Sequence, residues 1–511
     1  MRPLLAAAGG HRPARLAGHV CAVCKARKKK CDKTLPSCRN CVRKQLSCVY
    51  DYESSEAQVA IPAHKSNRKV PVHVTAPTIF LEPSLPSEAN LYHEVHRLIR
   101  ATGHFVDDVT TCYFRGVHQH LPMVSRTRLH GHLFAGLETP SATLSVLLLT
   151  MCLVSCTAKP TLLEKSPDQS AASKSPASAP AELDRQSLYL IARSVLAQVQ
   201  ALYPPSVHLV QAGLLLALYE YAYGDPDKAF ASLAGSGRLA YAAGIEPQAL
   251  LGGPDDNIAG AQQQEAENAN TWWALNICER MIYCDVTVSE QPLITTFPKY
   301  DVRLPTEPYL LERSSDTSGE PGSPLSVSCL FEEDIGSFGR SAQAAWLVDR
   351  VFQSFSVPDW DTRLAQLHAL DGEIQAFLTM LIHPKYTGRG PACTTIAMGI
   401  RALFNLHCHI IAQPTEILGA THECRNRSLT TLDTAARMVL DIVEKNDNMV
   451  AYAFDHIAPS YTYMVQASIS HLSLRMEEED EMMTAKTRLR SAFDQFNQRW
   501  VRNPVRDLQG V

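Results

Sequence analysis

The chain has 511 residues, 45% hydrophobic and 20% charged, a balance ordinary for a soluble globular protein of two or three domains. Its net charge of −4 conceals a division: residues 1–50 hold twelve Lys/Arg against one acid, Asp32, for +11, leaving −15 to the rest. A cationic head on an anionic body points to a head that binds a polyanion. No membrane span is expected, because the most apolar stretch, residues 142–156, falls short of the ~20 residues that cross a bilayer.

Taken in chain order, residues 1–17 read as a flexible arm. Their apolar run, Leu4 to Ala8, is too short for a signal sequence. With no export signal the fifteen cysteines are expected to be reduced, and clustered thiols then favour metal over disulfide.

The next segment, residues 18–50, holds Cys21, Cys24, Cys31, Cys38, Cys41 and Cys48, which is the half-motif C-x2-C-x6-C written twice. Three thiolates per half leave each tetrahedral zinc one ligand short. If the equivalent first residues Cys21 and Cys38 each bridge both metals, six sulfurs complete two sites. Six thiolates and two Zn²⁺ together carry −2, so nearby cations stabilise the cluster, but eleven excess charges are far more than it needs. The surplus faces another anion.

The run Cys24-Lys25-Ala26-Arg27-Lys28-Lys29-Lys30-Cys31-Asp32, then Pro36-Ser37-Cys38 and Cys48-Val49-Tyr50, resembles the fungal Zn2Cys6 binuclear-cluster DNA-binding domain. The resemblance implies two zinc ions per chain and two short pseudo-symmetric helices. The first helix would dock in the major groove of double-stranded DNA over CGG-like half-sites. By position, Lys28 falls on the guanine edges with the Arg27 backbone beside it, and Lys25, Lys30, Arg39, Arg43 and Lys44 fall to phosphate or cluster screening. Gln45 stands where the family commonly has glycine. Residues 18–48 contain no Phe, Trp or Tyr for stacking on single-stranded RNA, which favours duplex DNA.

A linker is expected over residues 51–90, where prolines 62, 71, 77, 83 and 86 forbid a continuous coiled coil. The nearest seam, Leu91, Val95 and Leu98, spans less than two heptads.

From residue 91 to 511 the periodicity is helical, as in the stripes Leu188, Ile191, Val195, Val199, Leu202 and Leu432, Ala436, Val439, Val443. Inserts low in order are expected near 158–182, 248–270 and 312–324. Residues 208–245, 271–294 and 300–305, with Glu279-Arg280 behind a Trp pair, resemble the fungal transcription-factor regulatory domain, without its usual arginine cluster before the tryptophans.

The fold class expected is therefore mainly α: a small Zn2Cys6 domain, a flexible linker and a large all-helical regulatory domain. No phosphate-loop, zincin or nucleophile-elbow motif occurs, so no enzyme is expected. The histidine-dense patch of His118, His120, His130 and His132 with Cys112, and the run His407-Cys408-His409, read as ordinary surface or core residues rather than metal sites. Residues 477–481, an acidic run, read as a solvated loop or helix N-terminus. The combined expectation is a nuclear, RNA polymerase II-type transcription factor for a metabolic or secondary-metabolite gene cluster. Its expected partners are CGG-bearing duplex DNA, the transcription machinery and a second copy through the helical domain. The alternative is a helical small-molecule sensor or scaffold with a zinc knot.

Overall fold

A computed structural model describes residues 20–34, 37–44, 48, 87–135, 139–155, 183–245, 259–288, 291–297, 302–311, 325–383, 392–413, 422–447, 458–475 and 480–500. The chain divides into two compact units, Met1–Thr75 and Ala76–Val511. The expected arm, most of the linker and the inserts near 158–182 and 312–324 lie outside the described residues.

The first unit is built on two five-residue helices, α1 (Ala22–Ala26) and α2 (Arg39–Arg43). Its buried core consists of Cys21, Cys24, Cys38 and Cys41, with Val23, Cys31 and Cys48 packed partly against them. Among the described residues, six sulfurs and one valine are too little apolar surface to hold a domain, and a metal supplies what this packing does not.

The second unit is helical, and no strand occurs among the described residues; one isolated bridge pairs Arg303 with Ser326. Helix α3 (Glu88–Ala101) is capped by the Ser87 hydroxyl, which accepts from the Asn90 N–H. It buries Leu91, Val95, Leu98 and Ile99 within its own unit, so the marginal coiled-coil seam is a core face. Helices α4 (Val106–Arg115) and α5 (Arg126–His130) follow.

The centre of the N-terminal group is formed by α6 (Ala142–Ser155) and α8 (Val207–Tyr223), which are apolar on every face and buried accordingly. Around them pack α3, α4, α7 (Arg185–Leu202) and α9 (Pro226–Ala242). Leu188, Ile191, Val195 and Val199 of α7 are buried as their spacing predicts, but Leu202 is 45% exposed because the helix ends there, ahead of its cap Tyr203. Gly224, at φ 99°, ends α8 in the left-handed region, and Asp225 caps α9 with Pro226 behind it. The two helices approach closely at Gly213, where a Cβ would stand 2.3 Å from the Ser236 Oγ.

Helix α10 (Ala259–Tyr283) joins this group to the next, packing on α8 and α9 and on α12 (Ser337–Phe355). Its first half corrects the expected insert at 248–270: residues 259–270 are helical. Ala, Gln and Glu favour helix there, and the polar composition hides burial in which each group finds a partner. Glu267 is 3% exposed and pairs with Arg128, and the Asn270 side chain donates to the carbonyls of Pro122 (3.0 Å) and Thr306 (2.8 Å). Residues 248–258 lie outside the described residues.

The C-terminal group contains α11 (Pro308–Leu311), α12, α13 (Trp360–Ile382), α14 (Cys393–Ile411), α15 (His422–Asp447), α16 (Ser460–Leu474) and α17 (Asp480–Trp500). Helix α14 packs against α12, α13, α15 and α16. The stripe Leu432, Ala436, Val439, Val443 is buried on α15. Asp480 and Glu481 open α17, while residues 477–479 of the acidic run lie outside the described residues. The two groups are tied by Tyr463, whose hydroxyl donates to the Tyr221 carbonyl at 2.7 Å while the rings stack at 4.2 Å.

The dipeptide Glu279-Arg280 lies in the joint. The Arg280 guanidinium, 1% exposed, donates to Asp349 Oδ1 (Nη2, 2.8 Å), to the Thr295 carbonyl (2.8 Å) and to Glu279 Oε2 (2.8 Å). Glu279 in turn accepts the N–H groups of Ile294 (2.6 Å) and Thr295 (3.0 Å). Removing the cation strands two buried carboxylates, so Arg280→Leu is expected to destabilise the helical unit by about 3–5 kcal/mol. Denaturant unfolding of the full chain, followed by circular dichroism, measures this; a loss below about 1 kcal/mol would contradict the assigned network.

Candidate metal centre and nucleic-acid interface

The two halves of the first unit start the same way. Cys21 caps α1 with its sulfur on the Cys24 N–H at 3.4 Å, and Cys38 caps α2 with its sulfur on the Cys41 N–H, also at 3.4 Å. A C-x2-C pair on a helix start thus brings its two sulfurs to the same side, as the repeated spacing predicts.

The six sulfurs fall into two groups of four. Cys21, Cys24, Cys31 and Cys38 form one, Cys21, Cys38, Cys41 and Cys48 the other, with all sulfurs of a group within 4.8 Å of one another. Both groups contain Cys21 and Cys38. Sulfur separations of 3.8 Å (Cys21–Cys38), 3.7 Å (Cys21–Cys41) and 3.7 Å (Cys24–Cys38) are far beyond a disulfide bond. They equal the edge of a tetrahedron, about 3.8 Å, around zinc with Zn–S bonds of about 2.3 Å. The residues present therefore fit the metal.

Burial pushes the Cys21 thiol well above its ordinary range and the Cys41 thiol up to about 12. Burial raises Cys38 and Cys48 as well, but the Cys41 N–H on Cys38 and the Cys38 N–H on Cys48 (3.3 Å), together with hydrogen bonds from the neighbouring thiols, hold both below the usual value. A cation at the centre favours the ionised form of all six.

The halves also reach across to one another. Asp32 follows the third cysteine; its carboxylate accepts the Arg39 N–H of α2 at 3.0 Å and the Thr34 hydroxyl at 2.9 Å. Partial desolvation opposes its ionisation, but these donors and the Arg39 guanidinium (3.7 Å) hold it below the usual carboxylate range. In the other direction Asn40 of α2 donates its Nδ2 to the Cys24 sulfur at 3.2 Å.

Helix α1 ends in a Schellman turn: the Lys28 N–H donates to the Lys25 carbonyl (3.2 Å) and the Lys29 N–H to the Cys24 carbonyl (3.0 Å). Lys28 occupies the left-handed position of that turn, with φ 49°, where glycine is the usual residue.

All seven cations singled out from the sequence (Lys25, Arg27, Lys28, Lys30, Arg39, Arg43 and Lys44) are exposed. Lys30, Arg39, Arg43 and Lys44 line one open groove together with Lys29, Asp32, Asn40 and Val42; Lys25, Arg27 and Lys28 stand outside it. Sequence reasoning gave no role to Asn40 and none to the Asp32 carboxylate. A lone acid in a strongly basic segment was the available signal.

The other histidines do not assemble, and no further metal-ligating group occurs among the described residues. His118 is 4% exposed, its ring edge-on to Phe114 at 4.8 Å, and burial lowers its pKa to about 3. His120 meets Thr394, and His132 meets His208. In the run 407–409, His407 is buried between Asp371 (3.2 Å) and Ser428 (3.1 Å), Cys408 is exposed and His409 stacks on Phe355. Adjacent residues on a helix face different ways, as expected. No helix among the described residues is long and apolar enough to cross a membrane.

No curated protein and no solved structure matches the chain. A family model, the fungal Zn(2)-Cys(6) binuclear cluster domain, matches residues 19–57 and does not extend into the helical unit. The family gives the paired sulfur groups their content, two zinc ions. Residues 19–57 are thus a zinc-cluster module of the fungal Zn(2)-Cys(6) type, a family of DNA-binding domains, followed by a mostly helical body.

Proposed function

We propose that the chain is a sequence-specific transcription factor acting in the nucleus, with Cys21, Cys24, Cys31 and Cys38 holding one zinc and Cys21, Cys38, Cys41 and Cys48 the other. Zinc, when bound, supplies the cross-link that the module lacks as packing. The end of α1 enters the major groove, where the Lys28 ammonium donates to guanine O6 and N7 of a CGG-like triplet, with the Arg27 backbone beside it. Lys25, Lys30, Arg39, Arg43 and Lys44 face phosphate. The observation that carries this reading is eight exposed cations, the seven named and Lys29, on a module whose described interior is sulfur.

A single module of this kind covers roughly 600–1,000 Å², so a second copy joined through the helical body completes the site. The body is regulatory, has no catalytic role and acts on the transcription machinery. Control of a metabolic or secondary-metabolite gene set follows from the family resemblance alone.

The test is a titration of the full chain against a CGG-containing duplex and a scrambled one over a salt series. The CGG duplex is expected to bind at least tenfold more tightly, in two-to-one protein-to-duplex stoichiometry when two half-sites are present. Neutralising five to six phosphates per module gives a slope of log K against log salt of about −5. Equal affinity for both duplexes would overturn the reading.

A further inference from the structure

The relative orientation of α1 and α2 decides whether the cations of both halves meet DNA together. Among the described residues no apolar core sets that angle, since the buried interior there is four cysteines. The sulfur cluster joins the helix starts. Two side chains, from opposite halves, add contacts beside it, both at the first turn of α2. Asp32 reaches forward to the Arg39 N–H at 3.0 Å, and Asn40 reaches back to the Cys24 sulfur at 3.2 Å.

Asp32 is the only acid in the first fifty residues and it lies in the groove beside Lys30, Arg39, Arg43 and Lys44. Toward a polyanion its charge is unfavourable, like repelling like. Its contribution therefore comes from holding α2. Asn40 sits among cations but is neutral. It donates to a thiolate sulfur and so orients that ligand and damps its charge, as outer partners of metal ligands do.

We propose that Asp32 and Asn40 are positioning residues: a reciprocal clasp across the two halves that sets α1 against α2, and with it the match between the Lys28 tip and the phosphate-facing cations of α2. This inference rests on the duplex-reading function proposed above. Neither residue touches a base in this scheme; each acts through the helix it holds.

The experiment uses the full chain with Asp32→Ala, Asp32→Asn, Asn40→Ala and the parent. Three quantities are read: bound zinc per chain, the rate of zinc loss to a chelator, and the ratio of affinities for the CGG and scrambled duplexes. Both alanine variants are expected to bind two zincs, to lose them about tenfold faster and to drop the affinity ratio about tenfold. Asp32→Asn keeps an oxygen for the Arg39 N–H and is expected to stay within about twofold of the parent in both readouts. A merely repulsive Asp32 gives a different result: Asp32→Ala then binds both duplexes more tightly, with ratio and zinc loss unchanged, and the clasp is overturned. Equal damage from Asp32→Asn and Asp32→Ala overturns it too. Should Asp32→Ala fail to hold zinc at all, Asp32→Asn and Asn40→Ala decide. If the parent itself shows no CGG preference, the proposed function fails. The zinc-loss rates then judge the clasp alone: faster loss in both alanine variants supports it, and parental rates sink it.

Discussion

The full chain with Cys21→Ser and Cys38→Ser together is expected to bind no zinc and to lose duplex binding altogether, while its helix signal stays nearly unchanged. These two sulfurs belong to both four-sulfur groups, so their removal leaves each group with two ligands. A change at Cys31 or Cys48 removes one ligand from one group only, and partial zinc content is expected there. The reason for the size of the effect lies in the interior of the module. A structural zinc contributes of order 10–16 kcal/mol in small zinc-dependent folds. The buried residues described here are four cysteines, and no apolar cluster stands beside them among the described residues to compensate. Zinc analysis of the purified variant, with circular dichroism as the control for the body, checks this. Retention of two zincs would rule out the bridging role. Retention of tight duplex binding without zinc would rule out the module as the binding element.

The second large effect is expected at Lys28. Lys28→Gly should keep two zincs and lose ~1–3 kcal/mol of discrimination for CGG, the range of a good base contact. The choice of glycine follows from the backbone. A left-handed φ of 49° is strained for lysine and natural for glycine, so this substitution removes the amine and relieves the turn at once. Lys28→Ala removes the amine but keeps the strain, and is expected to hold zinc slightly less well than Lys28→Gly. Duplex titration of both variants, against CGG and scrambled sequences, separates the effects. An equal loss on both duplexes would move Lys28 to the phosphate backbone. A loss of zinc in Lys28→Gly would show that the lysine side chain supports the cluster instead.

What could be read in advance followed the range of the interactions involved. Metal ligation is local and demanding in spacing, so the six cysteines and even the equivalence of Cys21 and Cys38 could be read directly. Helix α6 was equally plain, because a fourteen-residue helix that is apolar apart from two threonines and two serines has nowhere to go but the interior. The left-handed turn at Lys28 was not seen, because lysine gives no sign of it. The seventeen-residue repeat offered one, since Lys28 aligns with Gln45, where the family commonly has glycine. The start of α10 was misread as an insert for a different reason. Its burial runs through Glu267 and Asn270, whose partners Arg128, Pro122 and Thr306 are distant in the chain. Periodicity of apolar residues cannot report a polar face that is buried by satisfied hydrogen bonds. The clasp of Asp32 and Asn40 escaped for the same cause, being a contact between halves.

The sulfur interior of the module has a consequence for the cell. A fold that closes only around two ions carries their concentration in its own stability. Below the zinc concentration that closes half of the molecules, and above the dissociation constants of the closed form itself, the closed fraction rises with the square of that concentration. Each tenfold rise then adds about 1.4 kcal/mol per ion. Occupancy of the genome by such a protein is steeper in metal supply than in the amount of protein present as long as the ions are limiting. Under the proposed function, a gene set controlled by this chain would inherit that threshold.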